Sequence, residues 1–140
     1  MIGLFFSMVG TSMVWPFLTI YVSEQLDISL TEVAALISLN GLVSLGASFI
    51  AGPAADRVGR KRLMVLSLAG NGLTYFLFSF ASAYWMFAVL MAMRGFFPAF
   101  FRVATNAMIS DLVEPERRPE AFAQMRMWTN LGIAFGPALG

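Results

Sequence analysis

Gly52-Pro53-Ala54-Ala55-Asp56-Arg57-Val58-Gly59-Arg60-Lys61-Arg62 decides how this chain folds. Four cations and one carboxylate crowd into a short turn between two strongly apolar stretches. A spanning helix needs roughly 20 mostly apolar residues, and both flanks supply them. The run is therefore a polar hairpin between two membrane helices. Its positive charge marks the cytoplasmic side of the bilayer.

Composition agrees. Of 140 residues, 59% are hydrophobic and 12% charged, against about 25% charged in ordinary soluble domains. The chain has no Cys, which excludes disulfides and thiol chemistry, and no His, which excludes a histidine metal site or a histidine-based triad. An intramembrane enzyme is thus disfavoured, and the chain reads as a non-enzyme. No cofactor, metal site or nucleic-acid partner is expected. The lipid bilayer is the first partner.

Reading outward gives five candidate spans, at 2–22, 32–55, 63–83, 85–110 and 121–140, and an all-α, polytopic fold class. The first span lacks the basic flank and cleavage site of a secretory signal and reads as a mature helix. Ser29 and Glu32 have capping-box spacing, which starts the second helix. Tyr84 and Trp85 form an interfacial aromatic pair. Pro115 and Pro119 break helix in the last connection, and Pro119 suits a first turn. Arg57, Arg60, Lys61 and Arg62 lie in the second connection, and Arg117 and Arg118 in the fourth. The first and third carry no Lys or Arg. By the positive-inside rule the amino terminus is cytoplasmic. Small residues recur at four-residue spacing, Ser44, Ser48 and Gly52 on helix 2 and Gly132 and Gly136 on helix 5, which favours close helix packing.

The hairpin resembles the cytoplasmic signature of the major facilitator superfamily. The match lies at Gly52, Asp56, Arg57, Gly59, Arg60 and Lys61, whereas Ala54 is smaller than the usual aliphatic residue. The resemblance implies a larger inverted-repeat transporter of the drug- or metabolite-efflux kind. It also implies that the Asp56 carboxylate engages helix ends in the other half and holds an outward-facing state. Gly52 is expected to admit a neighbouring helix, and Gly59 to take positive φ in the turn. Asp111, before Leu112-Val113-Glu114-Pro115, resembles the acidic end of the family's helix 4. Carried over, Asp56, Arg60 and Asp111 form a latch. The plainer alternative is a positive-inside anchor with a solvated helix end.

Arg94 sits about 15 Å into helix 4 at 1.5 Å per residue. A charge at that depth is functional by default. Leu90-x-x-x-Arg94 resembles the helix-4 motif of proton-coupled members, although Pro98 replaces the usual Gly. The resemblance gives Arg94 a part in proton coupling or solute binding; a structural pair is the alternative. Arg126, with Gln124 and Asn130 nearby, either lines a cavity or snorkels. Arg102, like Arg126 nearer the cytoplasmic face where an arginine can snorkel, reads as structural. Gly132-x-x-x-Gly136-Pro137-x-x-Gly140 resembles the helix-5 antiporter motif and is expected to act as a hinge. Gly10 and Pro16 resemble the first-helix pattern of drug-efflux members.

By sequence, no Asp or Glu lies deep in these spans, so the deep formal charges are arginines. A cavity positive on this side suits anionic, zwitterionic or neutral solutes. The expected whole is a secondary transporter of the cell membrane that exports a small solute by alternating access, driven by a proton gradient. Uptake by symport is the near alternative. A fifth span ending in Gly140 without a flank fits the amino-terminal part of a longer chain, with a carboxy-terminal half as its partner. A true end at Gly140 would favour a membrane scaffold or regulator.

Overall fold

A computed structural model describes the backbone of residues 2–139, and within it all side chains except those at 2, 4, 19, 22, 25, 26, 137 and 139. The described residues are all-α. Five helices follow in order: α1 (Ile2–Leu26), α2 (Leu30–Val58), α3 (Arg60–Phe78), α4 (Tyr84–Leu112) and α5 (Arg118–Leu139), with a 3-10 turn at Pro115–Arg117.

Local chemistry accounts for the breaks. Asp27 takes positive φ, at 48°, between α1 and α2, a conformation Asp tolerates better than most residues. Ser29 then caps α2. Its hydroxyl accepts from the Glu32 N–H at 3.4 Å, and the Glu32 carboxylate accepts from the Ser29 N–H at 2.9 Å. Both arms of the capping box are made, so two otherwise orphaned donors are satisfied. α3 ends in tight bonds, with Phe80 donating to Leu77 O at 3.0 Å and Ala81 to Phe78 O at 3.3 Å. Pro115 opens the 3-10 turn, and Arg118 Nε donates to Val113 O at 3.2 Å across it.

The basic run differs from the loop expected at 56–62. It is helical on both sides of Gly59, because Arg and Lys are good helix formers and leave the glycine as the sole breaker. The helices accordingly outrun their expected bounds. α1 reaches Leu26, α2 reaches Val58, α3 starts at Arg60 and α5 at Arg118. α3 stops at Phe78, short of the expected 83.

The chain divides into two compact units, Met1–Glu24 with Ile109–Gly140, and Gln25–Met108. Within the second unit, Ala47, Ala51 and Ala55 of α2 form a buried stripe with Ala99, Phe100 and Ala104 of α4 and Leu63 of α3. Small side chains at four-residue spacing let these backbones approach. Ser44, Ser48 and Gly52, beside this stripe, are half-buried. α2 and α4 are both long and apolar enough to cross a bilayer. Only 17% of the apolar window of α2 is buried, so it is no core helix of a soluble bundle. Its Leu42, Leu45, Phe49 and Ile50 are exposed, Phe49 by 82%, and such a face is suited to lipid.

Candidate functional site

The hairpin turns on one residue. Gly59 has φ 95° and ψ 133° and is both the last cap of α2 and the first of α3. Its N–H donates to Ala55 O at 3.2 Å, and its carbonyl accepts from the Leu63 N–H at 3.0 Å. Nothing lies within 4 Å of a Cβ placed there, so the demand for glycine is conformational. Across this break the Arg60 guanidinium meets the Asp56 carboxylate at 3.5 Å. Asp56 is 71% exposed there and Arg60 28%. A pair that open to solvent adds little stability by itself. The stronger tie is Arg60 Nη1, which donates to the Ala107 carbonyl of α4 at 2.8 Å. One guanidinium thus joins the end of α2, the start of α3 and the last turns of α4.

Arg57 and Lys61 are exposed on either side of the break. Among the described residues no helix comes close to Gly52. A Cβ there would meet no atom within 4 Å among the described residues. Asp111 is exposed at the end of α4 and belongs to the first unit, whereas Asp56 and Arg60 belong to the second.

Deeper in α4, Arg94 is 9% exposed. It lies on the helix face that also buries Phe87, Leu90, Met91 and Gly95. Its Nε donates to the Tyr75 hydroxyl of α3 at 3.3 Å, and the guanidinium carbon stands 5.8 Å from the Tyr75 ring centre. Tyr75 therefore offers both an acceptor and a π-face to one cation. Close by in sequence, α2 and α4 touch through their backbones. A Cβ on Gly95 would run into the Asn40 carbonyl and come within 3.2 Å of the Ser44 nitrogen. The Asn40 amide donates to Met91 O at 3.0 Å and fixes that crossing.

Arg102 behaves differently from Arg94. It is exposed, and its Nη2 donates to the Ser48 hydroxyl of α2 at 3.3 Å. Ser48 in turn donates to Ser44 O at 2.7 Å. The side-chain oxygens of Asn71 and Asn106 are buried without a hydrogen-bond partner.

In the first unit, α1 and α5 meet at the glycines of the helix-5 motif. A Cβ on Gly132 would stand 2.6 Å from Met8 Cβ and 3.1 Å from Phe5 O. One on Gly136 would strike Ser12 and stand 3.0 Å from Val9 O. The Ser12 hydroxyl donates to Gly132 O at 3.1 Å, so the contact is bonded as well as close. Pro137 lies inside the helical span of α5, where it cannot donate to the carbonyl four residues back. Gly140 lies outside the described residues. Arg126 and Asn130 are exposed on α5.

The sequence reading missed Tyr75, Asn40 and Ser12. Tyr75 was one aromatic among many, and Asn40 and Ser12 were lone polar residues in apolar helices. A polar residue in a span was the available signal, since such groups seek a bonded partner.

Proteins of known name are similar to this chain in sequence. The sequence profile of the Major Facilitator Superfamily matches residues 1–140. The uncharacterized MFS-type transporter YqjV of Bacillus subtilis is 35% identical over 139 residues, which is 99% of this chain and 34% of that protein. A Na(+), Li(+), K(+)/H(+) antiporter of Planococcus maritimus is 30% identical, with 100% of this chain and 34% of that protein aligned. Multidrug resistance protein MdtG of Escherichia coli O1:K1 / APEC is 33% identical over 99% of this chain and 35% of its own length. The chain thus spans about a third of the length of the curated relatives it matches. The first two are named as a transporter and an antiporter, and none of the three is named as an enzyme. A helical, lipid-facing chain matched from end to end by one profile is a multi-pass membrane protein that belongs to the Major Facilitator Superfamily.

Proposed function

We propose that the whole protein is a secondary active transporter that exports a small solute by alternating access, in exchange for protons, with this chain supplying its amino-terminal helices. The observation that carries the reading is the hairpin. Its Asp56, Gly59 and Arg60 couple the end of α2 to α3 and, through Ala107, to α4. A mere topology anchor needs cations alone. Relatives named as an antiporter and as a multidrug resistance protein favour export by exchange over uptake.

In this reading Asp56, Arg57, Arg60 and Lys61 form the cytoplasmic gate, Asp111 is a charged helix end of its own unit, and the amino terminus is cytoplasmic by the positive-inside rule. Arg94 is the buried group of proton coupling, because a charge at that depth is retained at a cost of at least a few kcal/mol. Arg126 and Asn130 line the cavity, and the Gly132–Gly136 contact with α1 is the surface against which α5 pivots. The arginines favour solutes that are not simple cations. Carboxylates for a cation would have to come from the rest of the protein, since α2, α3 and α4 hold none between their ends.

Full-length protein in proteoliposomes tests this. A monovalent cation, a cationic dye and an anionic aromatic acid are each offered to vesicles carrying a pH gradient. Exchange predicts that at least one solute dissipates the gradient while moving against it. Movement of solute together with protons would make the protein a symporter, and no proton-linked movement of any solute would contradict the proposal.

A further inference from the structure

With α4 centred on the bilayer, Arg102 is the unexpected charge. The helix has 29 residues, Tyr84–Leu112, and its middle falls at Pro98. Arg102 is four residues further on, about 6 Å from the midplane at 1.5 Å per residue. The hydrocarbon core is about 30 Å thick, so its Cα lies roughly 9 Å inside the boundary. Placed so, the head group points towards the cytoplasmic interface without reaching it. Arg94 lies at a similar distance on the other side of the midplane, but it is buried and faces the Tyr75 hydroxyl and ring.

Arg102 is open instead. Its guanidinium is exposed, and its single bonded partner among the described residues is the Ser48 hydroxyl at 3.3 Å. Ser48 spends its own proton on Ser44 O at 2.7 Å, which fixes the hydroxyl oxygen as an acceptor facing Arg102. A guanidinium carries five N–H donors in a rigid fork. One is engaged here, and no carboxylate exists on α2 or α4 within reach of the others, since Glu32, Asp56 and Asp111 stand at the helix ends. Among the described residues no anion neutralises this guanidinium, and a charge in a span calls for one.

We propose that Arg102, oriented by Ser48, is an anion-binding site on the α2–α4 face that takes a carboxylate or phosphate group. The planar fork suits both groups bidentately. This deepens the transporter reading by naming the polar head that its solute presents. It rests on that reading only for what brings the anion, because binding is measured without transport.

The test uses the full-length protein in nanodiscs, the arginine reagent phenylglyoxal, and peptide mass mapping of Arg102 alongside Arg62 as an exposed reference. In phosphatidylcholine discs Arg102 is modified. Inorganic phosphate at about ten times its Kd slows that modification roughly tenfold, since the free fraction falls as 1 + [L]/Kd. Arg62 slows far less. Ser48→Ala weakens phosphate protection roughly fivefold, as loss of a hydrogen bond of about 1 kcal/mol does. Protection in phosphatidylglycerol discs before phosphate is added assigns the same site to a lipid headgroup. Arg102 left unmodified in every disc, or modified at one rate with and without phosphate in both lipids, overturns the proposal. Anion protection with no proton-linked transport would sink the transporter reading while leaving the site intact.

Discussion

Arg60 and Ala107 lie 47 residues apart, yet the guanidinium of one donates to the carbonyl of the other at 2.8 Å. The same side chain reaches Asp56 at 3.5 Å. The two bonds differ in strength. Bonds from a charged donor contribute about 1.5–3 kcal/mol, whereas an exposed ion pair contributes about 0–1 kcal/mol. Arg60→Ala should therefore lower thermal stability in detergent clearly, and Asp56→Asn should leave it nearly unchanged. Equal losses would mean that the Ala107 bond is not the main tie.

Gly59 and Gly52 should part company. Gly59→Ala places a side chain at φ 95°, which costs about 1–3 kcal/mol. Gly52→Ala meets open space and replaces a glycine in a helix, which gains up to about 1 kcal/mol. Differential scanning of the two variants reads the contrast. A stable Gly59→Ala would deny that the turn requires glycine.

The backbone crossing of α2 and α4 should be intolerant. In Gly95→Ala the new Cβ meets main-chain atoms of Asn40 and Ser44, which cannot rotate away. Overpacking of this kind costs about 1–3 kcal/mol. Gly72→Ala, where a Cβ meets nothing within 4 Å, is the control and should be neutral or stabilising. Thermal midpoints that match between the two would contradict the crossing.

The α1–α5 seam should respond in steps. Gly136→Ala drives a methyl into Ser12, so the double variant with Ser12→Gly should recover part of the loss. Coupling between contacting residues is typically about 0.5–3 kcal/mol. Additive effects in a double-mutant cycle would mean that the two residues do not touch.

Tyr75→Phe keeps the ring beside Arg94 and removes the hydroxyl acceptor. Hydrogen bonds between membrane helices average about 0.6 kcal/mol, so stability should fall by no more than about 1–2 kcal/mol. Transport should slow in parallel with Arg94→Lys. Wild-type transport by both variants would remove Arg94 from the mechanism.

Much of this was legible in the chain. The Ser29–Glu32 spacing announced the start of α2, and Asp56-Arg57-Val58-Gly59-Arg60 announced a glycine turn between spans. Those are local features, decided within a few residues. The partners of deep groups were not local. Whether Arg94 or Arg102 is buried depends on how α4 rotates against α2 and α3, and four-residue spacing fits several rotations. For the same reason Ser48 and Gly52 looked like part of the packing face of α2, which runs instead from the Asn40–Ser44 crossing to Ala47, Ala51 and Ala55. The tie from Arg60 to Ala107 uses a backbone carbonyl, which leaves no mark in a sequence.

The gate is tested most directly by transport through full-length Asp56→Asn in proteoliposomes, at matched protein content and with its thermal midpoint recorded. With the carboxylate charge gone and the fold intact, proton-linked exchange should fall at least about tenfold, equivalent to about 1.4 kcal/mol in the barrier. Wild-type exchange by a stable Asp56→Asn would contradict the gate and reduce the hairpin to a marker of topology.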